Sequence, residues 1–158
     1  MTGYTTSAPM RQLIEGWEGC RLEPYADSVG VATVGYGHTG DDVSLDMDPI
    51  SQETADQLLE ADLQLFEEAV NGMVSDATSQ QQFDAMVSFS YNLGESSLRG
   101  STLLRMHNQG DFAGAAGQFG RWNHAGGRVL AGLTRRRAGE AAVYATGDYS
   151  GGDSPAAA

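Results

Sequence analysis

The chain has 158 residues, of which 41% are apolar, and its formal net charge is −12. This length and composition are enough for one substantial core, or for two small lobes that share one. The strong negative charge excludes a uniformly basic surface for nucleic acid. A single cysteine, Cys20, excludes an intramolecular disulfide. Without a C-x-x-C pair or clustered histidines, we expect no metal site and no cofactor.

The charge is unevenly spread along the chain. Residues 1–100 hold seventeen acidic residues and three arginines, whereas residues 101–158 hold four acidic residues and six arginines, and there is no lysine. The mildly basic second half can therefore face an anionic polymer even though the whole chain is acidic.

The first predicted helix ends on a carboxylate. Ser7 can cap this helix, and Pro9 suits its first turn. Apolar residues then recur at i, i+3, i+4 and i+7 and make one face: Met10, Leu13, Ile14 and Trp17. Gly19 is the natural stop, so Glu18 falls in the last turn, where the helix dipole favours cations.

Residues 21–38 lack a helical period and are rich in turn residues. Asp27-Ser28-Val29-Gly30 has turn composition, and Val31, Thr33 and Val34 favour strands. We predict a β-hairpin here, and the pattern leaves open a third strand near Val43–Leu45. Residues 41–48 should form an acidic surface loop.

The remaining chain is predicted to be helical. A long helix over about 52–72, capped by Ser51, is the best candidate for a rod that joins two lobes, because it carries an apolar stripe: Leu59, Leu63, Phe66 and Val70. Shorter helices should follow around 83–93, 101–110, 111–119 and 134–145, with a loop at Trp122–Gly127. Residues 147–158 have little to bury, and we expect a disordered tail.

Glu18, Asp27 and Thr33 have the functional groups that glycoside hydrolysis needs. This reaction uses a protonated carboxylic acid on the leaving oxygen and a second carboxylate across the sugar. Glu18 ends an apolar helix, where desolvation would hold its proton on, whereas Asp27 lies in a polar turn and can stay ionised. The hydroxyl of Thr33, on the next strand, can hold a water near Asp27.

These residues also carry a family resemblance. Glu18, Asp27 and Thr33 match the signature of the T-even phage lysozyme family, glycoside hydrolase family 24: Glu, eight residues, Asp, five residues, Thr. Gly30 and Gly35–His38 belong to the same matching stretch. The second half of the chain resembles the smaller endolysins of this family at several segments: Ser88–Gly94, Ser101–Leu104, Trp122, Gly126-Gly127, Gly132-Leu133, Arg136-Arg137 and Glu140. The resemblance spans roughly residues 10–145.

The resemblance implies a role for each residue. Glu18 would be the general acid of a lysozyme, Asp27 the general base or electrostatic partner, and Thr33 the residue that positions water. His38 would be structural and orient the hairpin. Other residues would line the substrate cleft: the backbone near Thr39, with Tyr91, Asn92 and Gln118 from the helical lobe. Inversion of configuration would require carboxyl groups about 6.5–9.5 Å apart.

The resemblance also implies an α+β, lysozyme-like fold over residues 1–146. A small N-terminal lobe of about residues 1–60 would carry the short antiparallel sheet. The long helix would lead to a larger helical lobe of about residues 61–146, with the glycan cleft between the lobes.

The expected partner is bacterial peptidoglycan, bound by a monomer. We find no pattern of a signal peptide and no apolar run of membrane-spanning length. The expectation is therefore accumulation in the host cytoplasm and release through a separate pore-forming partner such as a holin, with no membrane insertion.

Three alternatives stay open at this point. A lytic transglycosylase would cleave the same bond without water and can work with the glutamate alone. A catalytically silent wall-binding module would bind the glycan without cleaving it. A third reading is activity on chitin-like polymers. The run Arg135–Arg137 is interpreted as ion-paired, one member of it with Glu18 or Glu140. Cys20 is interpreted as a small buried apolar residue.

Overall fold

The computed structural model describes residues 3–151. Its elements, in chain order, are α1 (Ala8–Glu18), β1 (Arg21–Ala26), β2 (Ala32–Gly35), α2 (Gln52–Met73), α3 (Gln80–Leu93), α4 (Glu95–Arg99), α5 (Thr102–Asn108), α6 (Phe112–Ala116), a 3-10 turn (Phe119–Arg121), β3 (His124–Ala125), β4 (Arg128–Val129) and α7 (Ala131–Thr146). The predicted α+β class, with a short antiparallel sheet before a long helix and a helical remainder, is confirmed.

The described chain forms two compact units. The hairpin unit is residues 14–65, and the helical unit combines residues 3–13 with residues 66–151. The division falls inside α1 and inside α2, so both helices contribute residues to both units. The predicted limits of 1–60 and 61–146 differ from this division mainly at the N-terminus.

Hydrogen bonds explain why the N-terminal segment belongs to the helical unit. The Tyr4 N–H donates to Asn71 Oδ1 at 3.0 Å, and Asn71 Nδ2 donates back to the Tyr4 carbonyl at 2.9 Å. The N–H and hydroxyl of Thr6 both donate to Glu67 Oε2, at 2.9 and 2.6 Å. A segment that satisfies its backbone on α2 in this way is tied to that helix.

The hairpin unit contains the predicted antiparallel pair. Tyr25 faces Thr33 and Ala26 faces Ala32, with an irregularity in the pairing between Arg21 and Tyr25. The third strand left open near Val43–Leu45 is absent from the described residues. Val43 N–H instead donates to the Gly40 carbonyl at 3.1 Å, so a local turn uses the backbone that a strand would need. Residues 41–48 form the exposed acidic loop that was predicted.

Helix α2 begins where the sequence predicts. Ser51 Oγ accepts a hydrogen bond from the Thr54 N–H at 3.1 Å and so caps the helix. Its apolar stripe is buried at Leu59, Leu63 and Val70. The predicted end at residue 72 differs from the observed end by one residue.

The helical unit packs α3 against α7, and the 3-10 turn also contacts α7. Ser79 caps α3 in a capping box with Gln82. The predicted helix over 111–119 is shorter than expected: α6 ends at Ala116. Two glycines, Gly126 and Gly127, with φ of 59° and 76°, turn the short β3–β4 hairpin, which sequence reasoning took for a loop.

The predicted tail begins later than Gly147. Gly147 ends α7 in a left-handed conformation, and the Tyr149 hydroxyl then donates to Asp84 Oδ2 at 2.7 Å. Residues 147–151 thus pack on the helical unit instead of extending freely, and residues 152–158 lie outside the described part of the chain. None of the helices within residues 3–151 combines the length and apolarity needed to cross a bilayer.

Candidate active site

Glu18 is the last residue of α1 and is half-buried. Gly19, with φ of 68°, ends the helix, because that conformation is readily adopted only without a side chain. The carboxyl lies against the loop that follows β2: a Cβ atom built on Gly37 would stand 3.0 Å from Glu18 Oε1. The helix end and the loop therefore meet at the carboxyl of the predicted acid.

Asp27 closes the turn between β1 and β2. Its N–H donates to the Val31 carbonyl at 2.9 Å, and its Oδ1 accepts from the Val29 and Val31 N–H groups, both at 2.9 Å. The carboxylate is half-buried. Because both backbone bonds fall on Oδ1, the carboxylate is fixed in orientation and Oδ2 is left for another partner.

Thr33 lies on the same face of the hairpin as Asp27. Tyr25 pairs with Thr33, and the Asp27–Val31 bond continues this register by two residues. Residues two apart on a strand share a face, so Asp27 and Thr33 are diagonal neighbours, which in antiparallel pairs are about 7–8 Å apart. Thr33 is 3% exposed, and its hydroxyl donates to the Val31 carbonyl at 2.9 Å.

His38 anchors the turn that follows β2. Val34 and His38 exchange both backbone hydrogen bonds, each 2.9 Å long. The ring nitrogens face two carboxylates: Nδ1 lies 2.8 Å from Asp62 Oδ2 on α2, and Nε2 lies 3.0 Å from Asp42. Burial lowers the pKa of His38, but the hydrogen bonds and charges of Asp62 and Asp42 outweigh it and raise this pKa. The predicted orienting role thus has a geometric basis.

The same turn is held at Tyr36 by the first residue of α2. Gln52 Nε2 donates to the Tyr36 hydroxyl at 3.0 Å and to Asp56 Oδ1 at 2.9 Å. Burial raises the pKa of Tyr36, and the hydrogen bond from Gln52 opposes that shift. Cys20 is half-exposed, with Sγ 3.8 Å from Gln52 Oε1, so its interpretation as a buried apolar residue is wrong.

The predicted cleft-lining residues fall in both units. Thr39 is exposed and follows His38 in the hairpin unit. Tyr91 and Asn92 lie in the last turn of α3, and Gln118 precedes the 3-10 turn. All three belong to the helical unit and are half-buried. Tyr91 packs edge-on against Phe66, with ring centroids 5.4 Å apart.

Arg136 and Arg137 are ion-paired with Glu140 in the helical unit. Arg136 Nε lies 3.3 Å from Glu140 Oε2, and Arg137 Nε lies 3.1 Å from Glu140 Oε1. The Ser88 hydroxyl donates to Glu140 Oε2 at 2.6 Å. Arg137 also donates to Asn92 Oδ1, which orients the side-chain amide of a predicted cleft residue.

All three predicted catalytic residues lie within the hairpin unit, Glu18 at the end of α1 and Asp27 and Thr33 on the β1–β2 hairpin. Sequence reasoning missed Gly37, Gln52 and Asp62 as supports. Helical spacing could not reveal that Gln52 contacts Tyr36 or that Asp62 contacts His38, because these partners lie outside α2.

The sequence of this chain is similar to those of several known proteins. The sequence model of the phage lysozyme family matches residues 15–140. The endolysin of Bacillus phage B103 is 42% identical over 138 residues, which cover 86% of this chain and 52% of that protein. The SAR-endolysin of Bacteriophage PS119 is 42% identical over 123 residues, which cover 78% of this chain and 73% of that protein. The chain spans about half the length of the Bacillus phage endolysins that it matches.

Solved structures of endolysins and of a muramidase domain resemble this chain in fold. The endolysin from Escherichia coli O157:H7 phage FAHEc1 has a TM-score of 0.85 and 37% identity, covering 92% of this chain and 96% of that one. The muramidase domain of SpmX from Asticaccaulis excentricus has a TM-score of 0.82 and 36% identity, covering 90% and 99%. The family match over most of the chain and the identity to these endolysins show that this chain belongs to the phage lysozyme family.

Proposed function

We propose that this chain is a lysozyme, an N-acetylmuramidase that hydrolyses the β-1,4 bond between N-acetylmuramic acid and N-acetylglucosamine in bacterial peptidoglycan. One observation carries the proposal: within one compact unit, a glutamate at a helix end accompanies a hairpin on which an aspartate and a threonine share a face. The names of its relatives, endolysin and muramidase domain, support a substrate in the bacterial wall.

Glu18 is the general acid in this mechanism. A glycosidic oxygen leaves readily only if it receives a proton as the bond to the sugar breaks. Glu18 is half-buried, so its carboxyl can be reached while it is held by the surrounding chain. It donates its proton to the leaving oxygen and is ionised at the end of the step.

Asp27 and Thr33 prepare the attacking water. With Oδ1 engaged by two N–H groups, Oδ2 of Asp27 accepts one hydrogen of the water and finally takes its proton. The Thr33 hydroxyl donates its own hydrogen to Val31, so its remaining lone pairs accept the second hydrogen of the same water. The low exposure of Thr33 suits a partner as small as one water molecule. The lone pair of that water is then directed at the sugar carbon.

The proposal extends to substrate binding and to the site of action. Thr39, Tyr91, Asn92 and Gln118 are proposed to contact the glycan, and Arg137 to hold the amide of Asn92 so that its N–H₂ group can donate to a sugar. The enzyme is proposed to act as a monomer on the wall after release from the host cytoplasm, with a holin providing the exit.

Mass analysis of the fragments released from purified peptidoglycan tests the proposal. Hydrolysis by a muramidase leaves N-acetylmuramic acid at the reducing end, and borohydride reduction adds two hydrogens to each such end. The control is Glu18→Gln, which keeps the size of the side chain but has no acidic proton. We expect this variant to lose activity by about 10²-fold or more with an unchanged melting temperature.

Each other outcome contradicts a stated part of the proposal. Fragments that end in 1,6-anhydro sugars identify a lytic transglycosylase, and N-acetylglucosamine at the reducing end identifies the other glycosidic bond as the target. Faster cleavage of chitin oligomers than of peptidoglycan identifies a different glycan as substrate. Full activity in Glu18→Gln shows that Glu18 is not the general acid. If the unaltered protein releases no fragments, the chain is a wall-binding module and not an enzyme.

A further inference from the structure

We infer that Gly37 is a positioning residue for the general acid, because its missing side chain leaves the space in which the Glu18 carboxyl is held. This inference rests on the proposed role of Glu18. A Cβ built on Gly37 would lie 3.0 Å from Glu18 Oε1 and 3.9 Å from its Cδ. The first distance is shorter than an ordinary van der Waals contact, so any side chain at position 37 would require one of the two groups to move.

The loop that carries Gly37 has little freedom to retreat. Val34 and His38, which flank the Gly35-Tyr36-Gly37 segment, exchange two backbone hydrogen bonds of 2.9 Å. The Tyr36 hydroxyl is bonded to Gln52 at 3.0 Å, and the His38 ring is held by Asp62 at 2.8 Å. Both chain neighbours of Gly37, Tyr36 and His38, are therefore held by hydrogen bonds.

The Glu18 side chain is the group that can yield. Its carboxyl is the end of a flexible side chain with three rotatable bonds, and a rotation about one of them moves Oε1 without disturbing the core. Relief of the 3.0 Å contact requires a displacement of a few tenths of an ångström. This moves the proton donor away from its substrate oxygen. Misplacement by about 1 Å can lower the rate by about 10²-fold, so a smaller loss is expected here. Contact at Gly37 should therefore appear in kcat more than in stability.

Any substitution at Gly37 also strains the backbone, and the effect of this strain has to be distinguished from the effect of contact with Glu18. Gly37 has φ of +81°, a conformation that side chains other than asparagine and aspartate rarely adopt. Gly110, in the helical unit, has φ of +82° with no atom within 4 Å of a built Cβ. It provides a matched control, because the same substitution there introduces the same strain in open space.

The experiment compares alanine and asparagine at both positions. Asparagine tolerates positive φ better than alanine, so strain alone makes Gly37→Asn the less damaging variant. Contact with Glu18 makes Gly37→Asn the more damaging variant, because asparagine has the larger side chain. Melting temperature, kcat and KM on solubilised peptidoglycan strands are measured for Gly37→Ala, Gly37→Asn, Gly110→Ala, Gly110→Asn and the unaltered chain.

We expect Gly37→Ala to lower kcat by about 3- to 10-fold with KM changed less than about twofold, and Gly37→Asn to lower kcat further. Both Gly110 variants should keep kcat within about twofold. At each position the asparagine variant should have the higher melting temperature. Stability and rate are therefore expected to rank the two Gly37 variants in opposite orders.

The inference is overturned if kcat of the Gly37 variants follows their melting temperature, or if they match the Gly110 variants. Failure of the proposed function is recognised separately. If the unaltered protein releases no fragments that end in N-acetylmuramic acid, the proposed function is wrong, and if Glu18→Gln keeps its activity, Glu18 is not the general acid. If Glu18→Gln is inactive but Gly37→Ala behaves like Gly110→Ala, only the role of Gly37 is wrong.

Discussion

The hairpin unit and the helical unit place their charged groups in different surroundings. In the hairpin unit, Glu18 and Asp27 are half-buried at the end of a helix and in a turn, and Asp27 is held by backbone N–H groups. In the helical unit, Arg137 and Glu140 are both 0% exposed and are held by each other and by neighbouring polar side chains. The residue types are similar, but only the first group can be reached by a solvent molecule or a sugar.

This difference separates the proposed catalytic carboxylates from the structural carboxylate better than residue type does. A carboxylate held by backbone groups keeps one oxygen for a substrate, and its loss leaves no buried charge behind. A carboxylate enclosed with two arginines has no such capacity, and its loss leaves buried cations without a counter-charge. Substitution should therefore affect rate in the hairpin unit and stability in the helical unit.

The largest expected effect on stability is at Glu140. Glu140→Gln keeps the shape but removes the charge that faces Arg136 and Arg137, and we expect the free energy of unfolding to fall by about 3–5 kcal/mol. Chemical denaturation measures this change. The matched control is Glu95→Gln, which breaks the Glu95–Arg99 pair at 3.1 Å, with side chains 52% and 61% exposed. That change should be below about 1 kcal/mol, and equal losses in both variants would contradict the comparison.

The largest effect on rate beyond Glu18 is expected at Asp27. Asp27→Asn keeps an oxygen that accepts the two N–H bonds of the turn, so the melting temperature should change little. The amide cannot take a proton from water, and we expect kcat to fall by about 10²-fold or more. Release of fragments from peptidoglycan measures the rate. Near-normal activity would show that no base is needed and would favour transglycosylation, whereas a large loss of stability would assign Asp27 to the fold.

Local sequence signals account for the position of the candidate site. Ser7, Gly19 and the apolar period between them predict a helix that ends on Glu18, and turn composition after Asp27 predicts the hairpin. The spacing of Arg136 and Arg137 from Glu140 suits pairing, because residues three and four apart are neighbours on a helix. The sequence alone left Glu18 open as the partner.

The supports of the site could not be predicted in the same way. The approach of Gly37 to Glu18 depends on how α1 and the loop after β2 pack, and neither sequence segment encodes that distance. The third strand near Val43 was suggested by composition alone, and local turns use its backbone instead. The β3–β4 strands have two residues each, too few to show alternation, although Gly126-Gly127 is itself a hairpin signal.

The two units also differ in how they shift the pKa of a histidine. In the hairpin unit, hydrogen bonds and charges of Asp62 and Asp42 outweigh the lowering effect of burial and raise the pKa of His38. In the helical unit, burial lowers the pKa of His107, whose ring lies 2.6 Å from the Tyr144 hydroxyl and 2.8 Å from Thr78 Oγ1. Protonation of His38 is therefore favoured by folding, and protonation of His107 is opposed by it.

These shifts predict stability changes of opposite sign near neutral pH. The stabilisation from protonated His38 is complete below the unfolded pKa of about 6.5 and is lost as pH rises through the higher folded value. The contribution of neutral His107 is complete above about 6.5 and is lost as pH falls toward its lower folded value. Chemical denaturation of His38→Gln and His107→Gln between pH 5.5 and 8.5 therefore tests how the stability lost in each variant depends on pH. The stability lost in His38→Gln should shrink as pH rises, whereas that lost in His107→Gln should grow. Parallel curves would show that charge partners in the hairpin unit and burial in the helical unit do not govern these two groups.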